Sequence, residues 1–366
     1  MRKGMFALAA VGLLATGSMA ACGDDSDGDS GSSSGGSSVG KVGVILPDTA
    51  SSQRWGSDDP KYLKAAFDAA GVSVDIQNAQ GDKSQFQTIA DGMISSGVKV
   101  LMIVNLDSGT GKAVLDKAKA AGIATIDYDR LTLSGGANYY VSFDNVAVGK
   151  LQGEGLVKCL TDLKATKPVV AELNGSPTDN NATLFKEGYD SVLKPKYDSG
   201  EFVKGPDQSV PDWDNAQGGT IFEQMLTENK NIKGVLAAND GLGNAVISVL
   251  KKQNLNGKVP VTGQDATVQG LQNILVGDQC MTVYKAIKEE ADAAAELAIG
   301  LAKGEKKDTG QTVTDPESKA TVPAVLLTPK PIYKDSVKDV VADGFVTKAE
   351  LCTADFAKLC TENGIS

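Results

Sequence analysis

A chain of 366 residues, 41% hydrophobic and 22% charged, is long enough for two domains with proper cores and has the balance of a globular protein. Its formal charge of −10 excludes nucleic acid as a partner, because phosphate binding needs a basic footprint. With no histidine and no CxxC pair, no metal and no cofactor are expected.

Residues 1–21 read as an export signal: Arg2 and Lys3 form a basic start, Met5 to Ala15 an apolar core too short to span a bilayer, and small residues follow. Met19-Ala20-Ala21-Cys22 resembles the lipobox of bacterial lipoproteins, in which the cysteine becomes the lipidated first residue; Met stands where Leu is usual. A plain secretory signal with a coincidental cysteine is the alternative. After Cys22, residues 23–40 are Gly, Ser and Asp plus one Val, with nothing to bury, the composition of a flexible tether. A globular body on such a leash is expected at the outer face of the cell membrane, or free in the periplasm.

Lys41 to Asp48 (KVGVILPD) has the continuous apolar run of a buried parallel strand. A polar loop with Arg54 and Trp55 follows. The pattern then predicts helix 59–70, strand 73–78, helix 83–96, strand 98–104, helix 110–121 with Gly122 as its stop, and strand 123–129. After strand 139–143 the alternation begins again: helix 146–161, strand 168–173, helix 183–193, strand 201–203, helix 215–228, strand 234–238, helix 244–253 and strand 259–263. Beyond Met281 to Lys285 come an Ala-rich helix 287–302, a charged loop, strand 322–328 and helix 335–341. The fold class is therefore α/β, as two Rossmann-like, doubly wound lobes with a ligand cleft between them.

Polar side chains recur where these strands end: Arg54 and Trp55, Asp129 and Arg130, Asp179 to Asn181, Asn239 and Asp240, Asp265, and Lys285. Open α/β sheets bind ligands at that carboxyl edge. An ionised Asp accepts hydrogen bonds and Arg offers five donors in a planar fork, so together they suit a ligand whose hydroxyls donate and accept at once. Any one of these residues alone reads equally well as turn chemistry. Besides Cys22, four cysteines remain: Cys159, Cys280, Cys352 and Cys360. Three pairings are open; Cys352 with Cys360 is favoured, since both lie in one short C-terminal segment, with Cys159 and Cys280 as a second bridge or two buried thiols.

The segments SSQRWGSDDPKY, IDYDR, YYVSFDNVAVGKLQ, NGSPTDNNATLF, AANDGLGNAV, VTGQDA, MTVYK and LLTP give the chain a close resemblance to the periplasmic D-xylose-binding proteins of bacterial ABC importers. The likeness runs from about residue 41 to 347. It implies the type I periplasmic-binding-protein fold with three hinge crossovers, near Asp144, Lys285 and Pro323. The lobes would be 41–144 plus 286–322 and 145–285 plus 323–346, followed by a tail, 347–366. It also implies sugar contacts at Arg54, Trp55, Asp129, Arg130, Asp179, Asn181, Trp213, Asn239, Asp265 and Lys285, the two tryptophans covering the apolar faces of the ring. The implied function is a monomeric, non-enzymatic receptor that closes on a monosaccharide, D-xylose first, and delivers it to a membrane permease. Alternatives are another aldose, a sugar sensor for a membrane kinase, or a glycosidase using Asp129 and Asp265. Without histidine, binding is expected to be flat between pH 5 and 8.

Overall fold

The computed structural model describes residues 40–365. The signal segment, Cys22 and the tether up to residue 39 lie outside the described residues. In chain order the elements are β1 (Val42–Leu46), α1 (Asp58–Ala69), β2 (Val74–Asn78), α2 (Lys83–Ser95), β3 (Val100–Ile103), α3 (Ser108–Ala120), β4 (Ala124–Tyr128), β5 (Tyr139–Phe143), α4 (Asn145–Asp162), β6 (Val169–Asn174), α5 (Asn180–Asp198) and β7 (Val203–Ser209). They continue as α6 (Asn215–Glu228), β8 (Ile232–Ala237), α7 (Asp240–Lys252), α8 (Val268–Val276), β9 (Thr282–Tyr284), α9 (Ile287–Ala302), β10 (Gln311–Thr314), β11 (Thr321–Leu327), β12 (Lys330–Ile332), α10 (Val337–Ala342), α11 (Lys348–Leu351) and α12 (Ala357–Glu362).

Seven strands form the first sheet in the order β10-β11-β5-β4-β3-β1-β2, parallel except for β10 at one edge. Its inner strands β1 and β3 are apolar and fully buried because both faces are covered, while the edge strands β2 (VDIQN) and β10 (QTVT) are polar and partly exposed. On one side Val44, Val100, Met102 and Ile126 pack on Ala291, Ala294 and Ala298 of α9. On the other, Ile45, Leu101 and Ile103 meet Phe86, Met93 and Leu115 of α2 and α3. In the second lobe β7-β6-β8 are parallel, and the segment expected as strand 259–263 extends them. It bridges β8 at Val235 and Val261 and bonds on its far side through Cys280 N–H to Val261 O and Val283 N–H to Gly263 O. β9 and β12 complete that edge as an antiparallel pair.

The short connections into the helices end on residues that cap them. Side chains of Asp82, Asp107, Asp144, Asp179, Asp214, Asn239 and Thr267 accept from first-turn N–H groups of α2 to α8. Each cap contributes about 1 kcal/mol, and together they fix where each helix starts relative to the strand edge before it.

Several features depart from the expected layout: the strand expected at 201–203 runs instead as β7, Val203–Ser209, and β10, β12, α11 and α12 were not expected. β11 pairs in parallel with β5 as far as Leu327 with Phe143, so residues 323–327 belong to the first sheet. The third crossover therefore lies between β11 and β12, several residues past Pro323, because LLTP keeps the β11 strand apolar up to its proline. Helix α8, capped by Thr267 and ended by Gly277 at φ +88°, was not expected. Nor was the tail's role: Val346, Leu351, Cys360 and Ile365 pack on Leu271, Ile274 and Leu275 of α8.

Disulfides join Cys352 to Cys360 and Cys159 to Cys280, with Cα separations of 5.9 and 6.4 Å. No helix among the described residues is long and apolar enough to cross a membrane.

Candidate functional site

Between the lobes lies a small cavity lined by Arg54, Trp55, Asp129, Arg130, Asp179, Asn181, Trp213, Asn239, Asp265 and Lys285, joined by Ser51, Ser52, Phe185 and Gln264. All ten residues singled out from the sequence thus reach one place. They come from the loops after β1 and β7, the segments that follow β4, β6, β8 and β9, and the loop before α8.

Arg54 sits in the middle of a single turn, Gln53–Trp55. Its Nε and Nη2 donate to Asp59 at 2.8 and 2.7 Å, Nη1 donates to Asp129 Oδ2 at 2.8 Å, and Nη2 also reaches Glu290 Oε2 at 2.5 Å. Burial alone would lower the Arg54 pKa, but Asp59, Glu290 and Asp129 outweigh it and hold the guanidinium well above its ordinary range. The guanidinium also lies 4.1 Å from the centre of the Trp55 ring, fixing that indole as a wall of the cavity.

Asp129 takes the left-handed conformation, φ +63°, which Asp tolerates better than most residues. The turn lets its carbonyl accept from Ser142 Oγ at 2.8 Å and Asn181 Nδ2 at 2.9 Å while the carboxylate faces Arg54. Arg130 spans the cleft: Nη1 donates to Asn105 O at 3.1 Å in the first lobe, and Nε is 3.1 Å from Asp179 Oδ2 in the second.

Asp179 and Asn239 serve in two capacities. Asp179 Oδ1 caps α5 through Asn181 N–H at 2.9 Å, while Oδ2 accepts from Trp213 Nε1 at 3.0 Å. Asn239 Oδ1 caps α7 through Leu242 N–H at 2.8 Å, and its Nδ2 donates to Ser51 O at 3.3 Å across the cleft. Turn chemistry and site chemistry are therefore not alternatives here: capping aims the remaining polar atoms.

Trp213 is held at φ +56° and meets Phe185 edge-on, ring centres 6.3 Å apart. The indole lies where a Cβ on Gly175 would fall, 2.1 Å from its Cη2, so only glycine admits it. Asp265, at φ +96°, accepts from Ser52 Oγ at 2.9 Å and pairs with Lys285 Nζ at 3.0 Å. Burial would raise its pKa, yet Lys285 and then Arg54 prevail and hold the carboxyl below its usual range. Non-glycine residues at positive φ carry strain that the surrounding structure must impose, and three of them line this cavity.

The residues not foreseen are of two kinds. Ser52, Phe185 and Gln264 lie inside quoted segments, SSQRW, NNATLF and VTGQDA, next to residues that were named. Asp59 and Glu290 stand behind Arg54 and read in sequence as ordinary charges on helices. Glu290 is fully buried, and burial pushes its carboxyl up to about 8 despite Arg54, with Asp129 and Asp59 adding to the rise. A titrating carboxyl in contact with Arg54 revises the expectation of flat behaviour between pH 5 and 8. Among the described residues, no cluster of His, Cys, Asp or Glu is arranged to hold a metal ion.

Residues 42–306 match the family model described as a periplasmic binding protein domain. The chain is 37% identical over 313 residues to the D-xylose-binding periplasmic protein of Escherichia coli K12, covering 85% of this chain and 92% of that protein. It is 34% identical over 326 residues to the multiple sugar-binding periplasmic receptor ChvE of Rhizobium radiobacter, with the same coverage, 85% and 92%. Among solved structures, a carbohydrate transporter solute-binding protein from Chloroflexus aurantiacus in complex with D-glucose superposes with a TM-score of 0.77 at 28% identity. That match covers 84% of this chain and 97% of that one.

Proposed function

The chain belongs to the periplasmic binding protein family, and from that premise we propose that it is the receptor of an ABC importer, capturing a monosaccharide between its lobes for a membrane permease. The observation that carries this reading is the convergence of ionised and amide side chains from both lobes, with two tryptophans, on one small cavity. A pyranose has apolar C–H faces and a rim of hydroxyls. Indoles cover such faces, while groups like Asp129, Arg130, Asp265 and Lys285 bond the rim, each bond to an ionised partner contributing about 1.5–3 kcal/mol. Several such bonds suffice for micromolar affinity or tighter.

Closure is the proposed mechanism. Asp129 with Asn181, Arg130 with Asp179, and Ser52 with Asp265 already meet across the cleft. A sugar that bridges the same groups favours the closed form by its extra affinity for that form alone. D-xylose is the ligand we favour, supported by the relatives named for it; other aldoses are the second reading, supported by the relatives named for several sugars and the neighbour holding glucose. A glycosidase is disfavoured, because its acid needs a carboxyl of raised pKa whereas Asp265 is held low by Lys285 and Arg54. We further propose that Cys22 carries a lipid that anchors a monomer to the outer face of the cell membrane, which mass spectrometry of the membrane-extracted protein tests.

The test of the ligand is a titration of the purified protein with xylose, glucose, arabinose, galactose and ribose, followed by tryptophan fluorescence. Both of the chain's tryptophans line the cavity, so the signal reports the site. Xylose is expected to bind tightest; a different winner replaces the sugar, and no binding by any of them overturns the reading.

A further inference from the structure

Gln264 is 3% exposed and lines the cavity, and its Oε1 has no hydrogen-bond partner. The backbone around it is held on both sides: Gln264 O accepts from Asp240 N–H at 2.9 Å, Asp265 N–H donates to Val283 O at 2.9 Å, and Gly263 O accepts from Val283 N–H at 3.1 Å. The side chain is therefore delivered to the cavity wall by a pinned strand end. Most other cavity groups already have partners in the protein; Asp265 Oδ1 also accepts no hydrogen bond, but it lies 3.0 Å from Lys285 Nζ. Arg54 pairs with Asp129, Arg130 with Asp179, Lys285 with Asp265, and Asn181 donates to Asp129.

Leaving a buried amide oxygen unpaired costs stability, and native structures keep few such groups without a reason. An orphaned acceptor on a residue that lines a candidate sugar cavity has an evident one. Resting on the monosaccharide reading above, we propose that Gln264 is a ligand contact: its Oε1 accepts a hydrogen bond from one hydroxyl of the bound sugar. It thereby makes the site selective for sugars that carry that hydroxyl over their deoxy analogues. Sites that pair a buried polar group with a substrate hydroxyl reject the analogue lacking it, because the group is then left unpaired.

The role has a signature that ordinary packing lacks. Gln264→Leu keeps the bulk and removes the orphan, so the ligand-free variant is expected to melt at or above the wild-type temperature. Its affinity for the sugar is expected to fall about tenfold, the worth of one neutral hydrogen bond. Calorimetric titration of both proteins with the tightest-binding sugar and its series of monodeoxy analogues tests this. At one ring position the wild type is expected to prefer hydroxyl over hydrogen about tenfold more strongly than the variant does. Unchanged affinity in Gln264→Leu, equal discrimination at every position, or a lower melting temperature of the ligand-free variant each overturns the inference. Failure of the wild type itself to bind any monosaccharide instead overturns the function on which it rests.

Discussion

Arg130→Ala probes the site where its two halves meet. Arg130 is buried, donates to Asn105 O at 3.1 Å on one lobe and lies 3.1 Å from Asp179 Oδ2 on the other. Its guanidinium is also 5.7 Å from the centre of the Trp55 ring. Truncation removes the cleft-spanning cation and leaves Asp179 Oδ2 with only the Trp213 indole at 3.0 Å. Removing one partner of a buried charge pair costs about 2–5 kcal/mol of binding. At about 1.4 kcal/mol per decade, that is a fall in affinity of about 30-fold to about 4,000-fold. Isothermal titration with the preferred sugar reads the loss, and the melting temperature of the ligand-free protein shows whether the fold is intact. Affinity within threefold of wild type would refute the reasoning. Loss of the folded state instead of affinity would show that the pair serves structure.

Gly175→Ala puts a methyl group 2.1 Å from the Trp213 ring, so the indole must leave its place between Asp179 and Phe185; fluorescence in the ligand-free protein is expected to shift and sugar affinity to fall at least tenfold, with unchanged spectra counting against the geometry. The buried carboxyls predict a slope of stability with pH. Asp127 and Asp240 are pushed up to about 7 and Glu290 to about 8, in each case by burial first. Because their folded-state values exceed the unfolded ones, they bind protons more tightly when folded. Their contribution is complete below about pH 4 and is lost as pH rises through 7 to 8. The melting temperature is expected to fall from pH 6 to 8.5, and to fall less in Glu290→Gln, which stays neutral; a flat profile in the wild type contradicts this. For the bridges, whose cysteines are 8 and 121 residues apart, loop-closure entropy predicts that Cys280→Ser costs about 5 kcal/mol and Cys360→Ser about 2–3. Denaturant titrations giving the reverse order would refute that ranking.

The architecture was legible because parallel strands buried on both faces leave unbroken apolar runs, as in VGVIL and VLMI, between helices whose starts are marked by Asp or Asn. The edge residues were legible for the same reason, since a side chain just past a strand in such a sheet commonly meets the cleft; Asp240 is the exception, buried where it accepts from Thr267, Gln279 and Thr282. What escaped notice depends on contacts distant in sequence. Glu290 is 236 residues from the Arg54 it touches, and in KEEAD it reads as a solvated helix charge. Gln264 precedes a named aspartate, but nothing local distinguishes an amide facing a cavity from one facing solvent. Helix α8 did carry local signals, a Thr cap and a terminal glycine around an apolar face. The third crossover near Pro323 rested on the resemblance alone, whereas Pro323 lies within β11, across from Thr312 of the edge strand β10.

The most direct test is a crystal structure of the protein grown with D-xylose. One sugar is expected between Trp55 and Trp213, with its hydroxyls within hydrogen-bonding distance of Asp129, Arg130, Asp265 and Lys285. A sugar bound elsewhere, or an empty interlobe cavity with those four side chains turned from any common point, would contradict the account.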